Sequence, residues 1–286
     1  MDKRKKCPYK IGLALSGGGA RGFAHLGALK ALEEHGIRPD IISGVSVGSL
    51  IAVLYADGYK PDELFEVANT IRFTSIAEGI LPKGGFFKMS GVGNLLEKLL
   101  KSNTFEELKI PVNVVASDIE KGQIKVFNKG EIIPAVLASC SVPIVFAPVH
   151  IEDKHYVDGG LLMNFPASVI RNQCEKLIGV NISPVISMKY EESFKYVIER
   201  AMNYMVGANT VAERELCDYL IESYEISEYS IFDFKHNGEI FRKGYEIANA
   251  YLDVNKQKLK RDLLARNSNK FRNWLADKVL TLKSTK

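Results

Sequence analysis

The chain has 286 residues, of which 46% are hydrophobic and 25% charged, and its net charge is +4. This is an ordinary globular composition with ample chain for a core, and it excludes collagen-like, low-complexity and disordered polymers. No stretch approaches about 18 uninterrupted apolar residues, so no spanning helix is expected.

The first six residues, Met1 to Lys6, are basic, but the apolar run behind them is cut by Gly17-Gly18-Gly19 and Arg21. A secretory core would be continuous, so a cytoplasmic location is expected. Cys7, Cys140, Cys174 and Cys217 are widely spaced and read as reduced thiols. The mild charge calls for no nucleic-acid partner.

Lys10 to Ser16 reads as a buried strand running into the glycine loop Gly17 to Gly22. A helix follows, with Phe23, Leu26, Leu29 and Leu32 at three-residue steps and Gly36 as its C-terminal stop. Ile41 to Ser43 is the second strand, and Val47 to Ala56 the second helix, ending near Gly58. Strand–helix–strand–helix predicts a parallel sheet with helices on its faces. Pro61-Asp62-Glu63 opens another helix, with acids at the positive end of its dipole.

Ala77 to Gly93 is glycine-rich and predicts a mobile surface loop, followed by helix over about Asn94 to Ser102. Pro111 to Asp118 predicts a strand, turning at Lys121-Gly122 into Gln123 to Phe127. A short helix over about Glu131 to Ser139 leads to Val142 to Pro148, whose prolines suggest an extended, poorly laddered path. His155 to Gly160 is a strand ending in a turn, Pro166 to Arg171 starts a helix, and Leu177 to Ile182 is a buried strand. Glu191 to about Ser223 predicts a long amphipathic helix or helix pair. A strand at Tyr224 to Ile226 and a helix from about Lys243 follow.

Gly44-Val45-Ser46-Val47-Gly48 lies on a strand-to-helix turn, the arrangement of a nucleophile elbow. The turn is too sharp for side chains at its flanks, and the N–H of Val47 points toward whatever Ser46 attacks. Gly17, Gly19 and Gly22 also satisfy a dinucleotide-binding spacing. That reading needs an acid at the end of the second strand, and Asp40 precedes the strand instead, so no cofactor is expected. The N–H groups of Gly17, Gly18 and Gly19 could instead hold an oxyanion at the sheet edge where Ser46 emerges. Two readings fit Arg21: a charge at that site, or a structural tie from the loop to a carboxylate. Of the five histidines, only His236 lies late enough for the usual Ser–acid–His order, and it reads as an exposed turn. His150 and His155 carry no metal-binding spacing, and no metal is expected. Asp158, in Val157-Asp158-Gly159-Gly160, ends a strand where other strands converge; Asp-Gly is equally a tight-turn signal.

Ser16-Gly17-Gly18-Gly19-Ala20-Arg21-Gly22, Gly44-Val45-Ser46-Val47-Gly48 and Asp158-Gly159-Gly160 occur together and in this order. The set resembles the patatin-like phospholipase family, over roughly Leu13 to Arg171. Ala138 to Pro143, Asn164 and Pro166 agree with it. The resemblance implies a three-layer α/β/α fold with a mostly parallel sheet. It implies a Ser46–Asp158 dyad without histidine. It further implies an oxyanion hole at Gly17, Gly18, Gly19, Arg21 and Val47, and motif glycines at Gly22, Gly44, Gly48, Gly159 and Gly160. The activity implied is hydrolysis of lipid acyl esters through an acyl-enzyme, without metal; the alternative is a catalytically weak member with a regulatory or lipid-binding role. A catalytic domain over 11–183 and a helical extension over 184–286 are expected.

Lys256 to Lys286 carries ten Lys/Arg against Asp262 and Asp277, with Leu259, Phe271, Trp274 and Leu275 at near-helical steps. Two readings stand: a basic helix lying on an anionic membrane, giving peripheral attachment, or a helix docked on the domain with its basic face solvated.

Overall fold

The computed structural model describes residues 7–69, 89–187 and 189–283, with side chains through residue 262 except those of 195 and 199. The sheet order is β5-β6-β3-β2-β1-β7-β8, with β4 also paired to β3. Its centre is β1 (Tyr9–Leu15), parallel to β2 (Ile41–Val45) and to β7 (Cys174–Asn181). β8 (Tyr219–Glu222) runs parallel to β7, and β3 (Val112–Asp118) parallel to β2. The hairpin of β5 (Val149–Ile151) and β6 (Lys154–Asp158), and β4 (Gln123–Phe127), join antiparallel.

Alternation along β1 sends Ile11, Leu13 and Leu15 into the main core and Ala14 into a smaller cluster on the opposite face. The main core is closed by α1 (Phe23–Glu34), α2 (Val47–Ala56), α3 (Pro61–Asn69), α4 (Ser90–Leu99) and α5 (Ile132–Cys140). Across the sheet, Phe165, Ala167 and Ile170, the last in α6 (Ser168–Arg171), pack under Ala14, Ile41 and Leu177. This is the expected three-layer arrangement.

The C-terminal third departs from its expected boundaries. The predicted long helix is α7 (Phe194–Ala208) and α8 (Val211–Glu215), which gives way to β8. Tyr224 to Ile226, expected as strand, belongs to a 3-10 turn over Tyr224–Glu228. Tyr219 and Ile221 alternate into the core, a period-two signal concealed by the helical run before it. Val142 to Pro148 is turned rather than extended: the Phe146 N–H donates to the Val142 carbonyl (2.9 Å), and Ile144 adopts φ 75°. Part of the glycine-rich segment expected as a loop, 77–88, lies outside the described residues, and 90–93 already belong to α4.

The last helix, α9 (Asn237–Lys283), starts earlier than expected and packs along α1. A Cβ on Gly27 would lie 2.1 Å from the Phe241 carbonyl oxygen, and one on Gly244 2.4 Å from that of Ala24. The two backbones therefore touch, which only glycine at the crossing allows. At the start of the basic tail, Leu259 is buried, and Asp262 accepts from the Tyr219 hydroxyl (2.6 Å) and the Lys176 ammonium (2.9 Å). Residues 256–262 are thus docked; side chains from 263 onward, Trp274 included, lie outside the described residues. Among the described residues no helix is long and apolar enough to cross a membrane.

Candidate active site

Ser46 sits between β2 and α2 at φ 53°, ψ −131°, a backbone conformation disfavoured for a residue with a side chain. Its neighbours explain how the strain is held. A Cβ on Gly44 would lie 2.5 Å from the Gly48 carbonyl oxygen. One on Gly48 would lie 2.6 Å from the carbonyls of both Leu15 and Ser16. The elbow is wedged against the end of β1 with no room for a methyl group. The Ser46 N–H donates to the Ser139 hydroxyl (2.8 Å), which donates in turn to the Val115 carbonyl (2.6 Å). The Ser46 carbonyl accepts from the Ser49 hydroxyl (2.7 Å).

Asp158 reaches the serine through sheet register. On β3, Val115 pairs with Val45 of β2, and the next residue, Ala116, pairs with Asp158 of β6. Because β4 occupies the other edge of β3 over the same residues, β6 continues the edge on which β2 stops. The ends of β2 and β6 meet there, one carrying Ser46 and the other Asp158. Gly159 completes the join, since a Cβ there would lie 2.3 Å from the Val115 carbonyl oxygen and 2.7 Å from Val45. The Ser46 hydroxyl donates to the Asp158 carboxylate, which also accepts from the Gly160 N–H (2.7 Å). Burial pushes the Asp158 carboxyl up to about 6, against the opposing pull of these two hydrogen bonds.

The glycine loop lies beside this pair, with a different division of labour from the one expected. The Gly17 N–H is committed to the Asn164 carbonyl (3.1 Å), so it cannot serve as an oxyanion donor. The N–H groups of Gly18, Gly19 and Val47 find no acceptor among the described residues, and all three residues line the cavity above Ser46. Arg21 is buried and donates to the carbonyls of Tyr229 (2.7 Å) and Ser227 (3.0 Å). Its guanidinium ties the loop to the segment before α9 and does not line the cavity, so it is removed from the oxyanion set. Gly22, at the start of α1, lies against the Val47 side chain.

None of the five histidines lines the cavity. His25 is fully buried and donates from Nε2 to the Ser16 carbonyl (2.8 Å); burial lowers its pKa to about 4, so it is neutral. This brace under the glycine loop was not foreseen from the sequence. His155 pairs with Glu120 and His236 with Asp233 on the surface. Asp40 accepts from the N–H groups of Lys10 (2.9 Å) and Ile11 (2.8 Å), at the end of the sheet opposite Ser46. No cluster fit to hold a metal occurs among the described residues.

The cavity over Ser46 and Asp158 holds about 240 Å³, and its walls are mainly apolar, from Leu50, Val142, Phe146, Met202 and Val206 among others. A second cavity of about 120 Å³ lies behind Val47, Leu50, Val92 and Phe234, which border both spaces. Its described lining consists wholly of glycine, alanine, phenylalanine and aliphatic residues.

The profile of the patatin-like phospholipases matches residues 13–170. The chain belongs to this family. Among relatives of this patatin-like chain, an uncharacterized protein of Acanthamoeba polyphaga mimivirus is 31% identical over 192 residues. That match covers 60% of this chain and 65% of that protein. Mouse patatin-like phospholipase domain-containing protein 6 is 32% identical over 176 residues, 59% of this chain and 13% of that protein. An uncharacterized NTE family protein of Mycobacterium tuberculosis H37Rv is 30% identical over 164 residues, 56% of this chain and 45% of that protein. The chain therefore spans less than two thirds of the length of these relatives. The crystal structure of VipD from Legionella pneumophila shares the patatin fold with a TM-score of 0.50 at 15% identity, over 86% of this chain and 67% of that one.

Proposed function

We propose that this protein is a lipid acyl hydrolase working through a Ser46–Asp158 dyad. The observation that carries the reading is the pairing of a strained, buried serine with a carboxylate that accepts the hydrogen bond of its hydroxyl, inside an apolar cavity. Asp158 takes the Ser46 proton as Oγ attacks the ester carbonyl carbon. The carbonyl electron pair moves to oxygen, where the N–H groups of Gly18, Gly19 and Val47 receive it. Collapse expels the alcohol, which leaves with the proton from Asp158. Water, deprotonated by Asp158, adds to the acyl carbon; the bond from that carbon to Oγ then breaks, Ser46 takes the proton back from Asp158, and the acid leaves. An ordinary aspartate, near 3.9, is a poor base at neutral pH. Burial moves Asp158 to about 6, closer to the useful range while still ionised at pH 7 to 8.

The two apolar cavities, which share Val47, Leu50, Val92 and Phe234 as walls, favour a substrate with an extended acyl chain, its ester at Ser46 and its methylenes running behind Val47 and Leu50. The test is labelling with a fluorophosphonate probe and peptide mapping on wild type, Ser46→Ala and Asp158→Asn, beside hydrolysis of p-nitrophenyl esters. Modification confined to Ser46 and strongly slowed in Asp158→Asn is expected. A folded wild type that neither labels nor turns over would refute the reading and leave a binding role for the fold.

A further inference from the structure

Asp158-Gly159-Gly160 sets two conformationally permissive residues directly after the carboxylate. A Cβ on Gly160 would lie 3.0 Å from Asp158 Oδ1 and 2.7 Å from Asn164 Oδ1, so the turn has no room for a stiffer residue there. The restraint that the glycines lack comes from Asn209, between α7 and α8. Its Oδ1 accepts from the Asn164 N–H (2.7 Å), and its Nδ2 donates to the Gly160 carbonyl (3.0 Å). An N–H on one side and a carbonyl on the other admit a single orientation of the carboxamide. Glu213 of α8 accepts from the Ser168 N–H (2.6 Å), so the α7–α8 corner grips the segment 160–168 at both ends. Asn209 lies outside the segment 13–170 that the family profile matches.

Both anchor points serve the reacting groups. Gly160 donates its N–H to Asp158 Oδ1 (2.7 Å), and its carbonyl is the group that Asn209 holds. Asn164 donates its N–H to Asn209, and its carbonyl takes the Gly17 N–H (3.1 Å), which ties down the loop carrying Gly18 and Gly19. One carboxamide thus stands behind both the base and the oxyanion donors. Asn209 itself does not line the cavity, whereas Met202, Met205 and Val206 of α7 do. The helix that walls the cavity is therefore tied through its last turn to the base.

We propose that Asn209 is a positioning residue of this centre, its carboxamide clamping Gly160 against the Asp158 carboxylate and Asn164 against the glycine loop. This rests on the hydrolase reading above. Burial raises the Asp158 carboxyl to about 6, and the Ser46 and Gly160 hydrogen bonds oppose that rise. Loosening Gly160 weakens one of the two, which favours the neutral acid and moves its ionisation upward. Around Asp158, β3 sets Ala116 opposite it, the elbow presents Ser46 and α5 presents Cys140, whose thiol burial keeps neutral. The described lining of the cavity holds no charged residue besides Asp158.

The test measures kcat and KM on a p-nitrophenyl acyl ester between pH 5 and 9, with thermal unfolding, in wild type, Asn209→Ala, Asn209→Ser and Thr210→Val. Thr210 is the control: it is buried in the same corner, and its hydroxyl donates to the Gly207 carbonyl (2.8 Å) rather than to the turn. A free carboxylate near 3.9 falls below about 2 on accepting two or three backbone N–H bonds, so loss of one should raise the acid-side midpoint of kcat/KM by roughly 0.5 to 1. Misplacement of the base and the glycine loop should lower the plateau kcat roughly 10- to 100-fold, with KM within about threefold. Asn209→Ser, too short to make both bonds, should behave like Asn209→Ala and carries the test if the alanine variant does not fold. Thr210→Val should lower Tm and keep the wild-type midpoint. A folded Asn209 variant that keeps the wild-type midpoint would overturn the proposal, whatever its kcat. An equal displacement of the midpoint in Thr210→Val would also overturn it, since general loosening of the corner would then be the cause. Failure of wild type to label at Ser46 would instead remove the hydrolase reading, and this proposal with it.

Discussion

The pKa of Asp158 links activity to stability in a direction that can be measured. Burial raises its carboxyl from 3.8 to about 6, which corresponds to roughly 3 kcal/mol of preference for the neutral form in the folded chain. The unfolded chain ionises near its ordinary value, so this stability is fully present below that value. It is lost as the pH rises to and through about 6. At neutral pH the ionised carboxylate therefore holds the native state below the stability it would otherwise have. Asp158→Asn removes the titration. Urea denaturation of both proteins between pH 4 and 8 should show the variant gaining on wild type as pH rises, by up to about 3 kcal/mol, with the change complete near pH 7. The absolute offset includes the altered hydrogen bonds to Ser46 and Gly160, but those do not titrate in this range. In parallel, wild-type kcat/KM should fall to half near pH 6 on the acid side. A stability difference that is flat with pH, or an activity midpoint near 4, would refute the inference that burial controls this group.

The strain at Ser46 predicts that Ser46→Gly abolishes turnover while raising stability by about 1–2 kcal/mol in chemical denaturation. Ser139→Ala breaks the bridge between the Ser46 N–H and the Val115 carbonyl, leaving two buried groups unmet. It should lose about 1–3 kcal/mol and lower kcat, with labelling still directed to Ser46. Gly159→Ala forces a methyl onto the Val115 carbonyl and should destabilise by more than about 2 kcal/mol, read as a lower Tm. Ala68→Phe, filling the second cavity, should move ester preference from long toward short acyl chains; an unchanged chain-length profile would place the chain elsewhere. Truncation after residue 262 keeps the docked start of the tail. It should weaken binding to anionic vesicles, seen by co-sedimentation, if the rest of the tail lies on membranes.

How much of this was legible in the chain differs by element. Strands β1, β2, β3 and β7 are short, β-rich apolar runs bounded by glycine or proline, and their parallel order follows from the intervening helices. The elbow was legible because its chemistry is local: Gly44 and Gly48 are adjacent to the serine they accommodate. β5 and β8 were not, because three- and four-residue strands carry too few alternations to stand out from neighbouring helix and turn. The site divides in the same way. Ser46 and Val47 are determined by neighbours in sequence. The assignment of Gly17 and Arg21 to the oxyanion set could not be corrected from the motif, because their partners lie far along the chain, at Asn164 and at Ser227 and Tyr229.

The sequence by itself determined the sheet core, the turn that strains Ser46, and the motif positions of the serine and aspartate proposed as nucleophile and base. Tertiary structure alone decided that the two meet. The register of β3 sets Val115 opposite Val45 and Ala116 opposite Asp158, and no local periodicity encodes an alignment between strands separated by so much chain. Tertiary structure likewise decided the protonation behaviour of Asp158, because desolvation depends on what the fold packs around a carboxylate rather than on its neighbours in sequence.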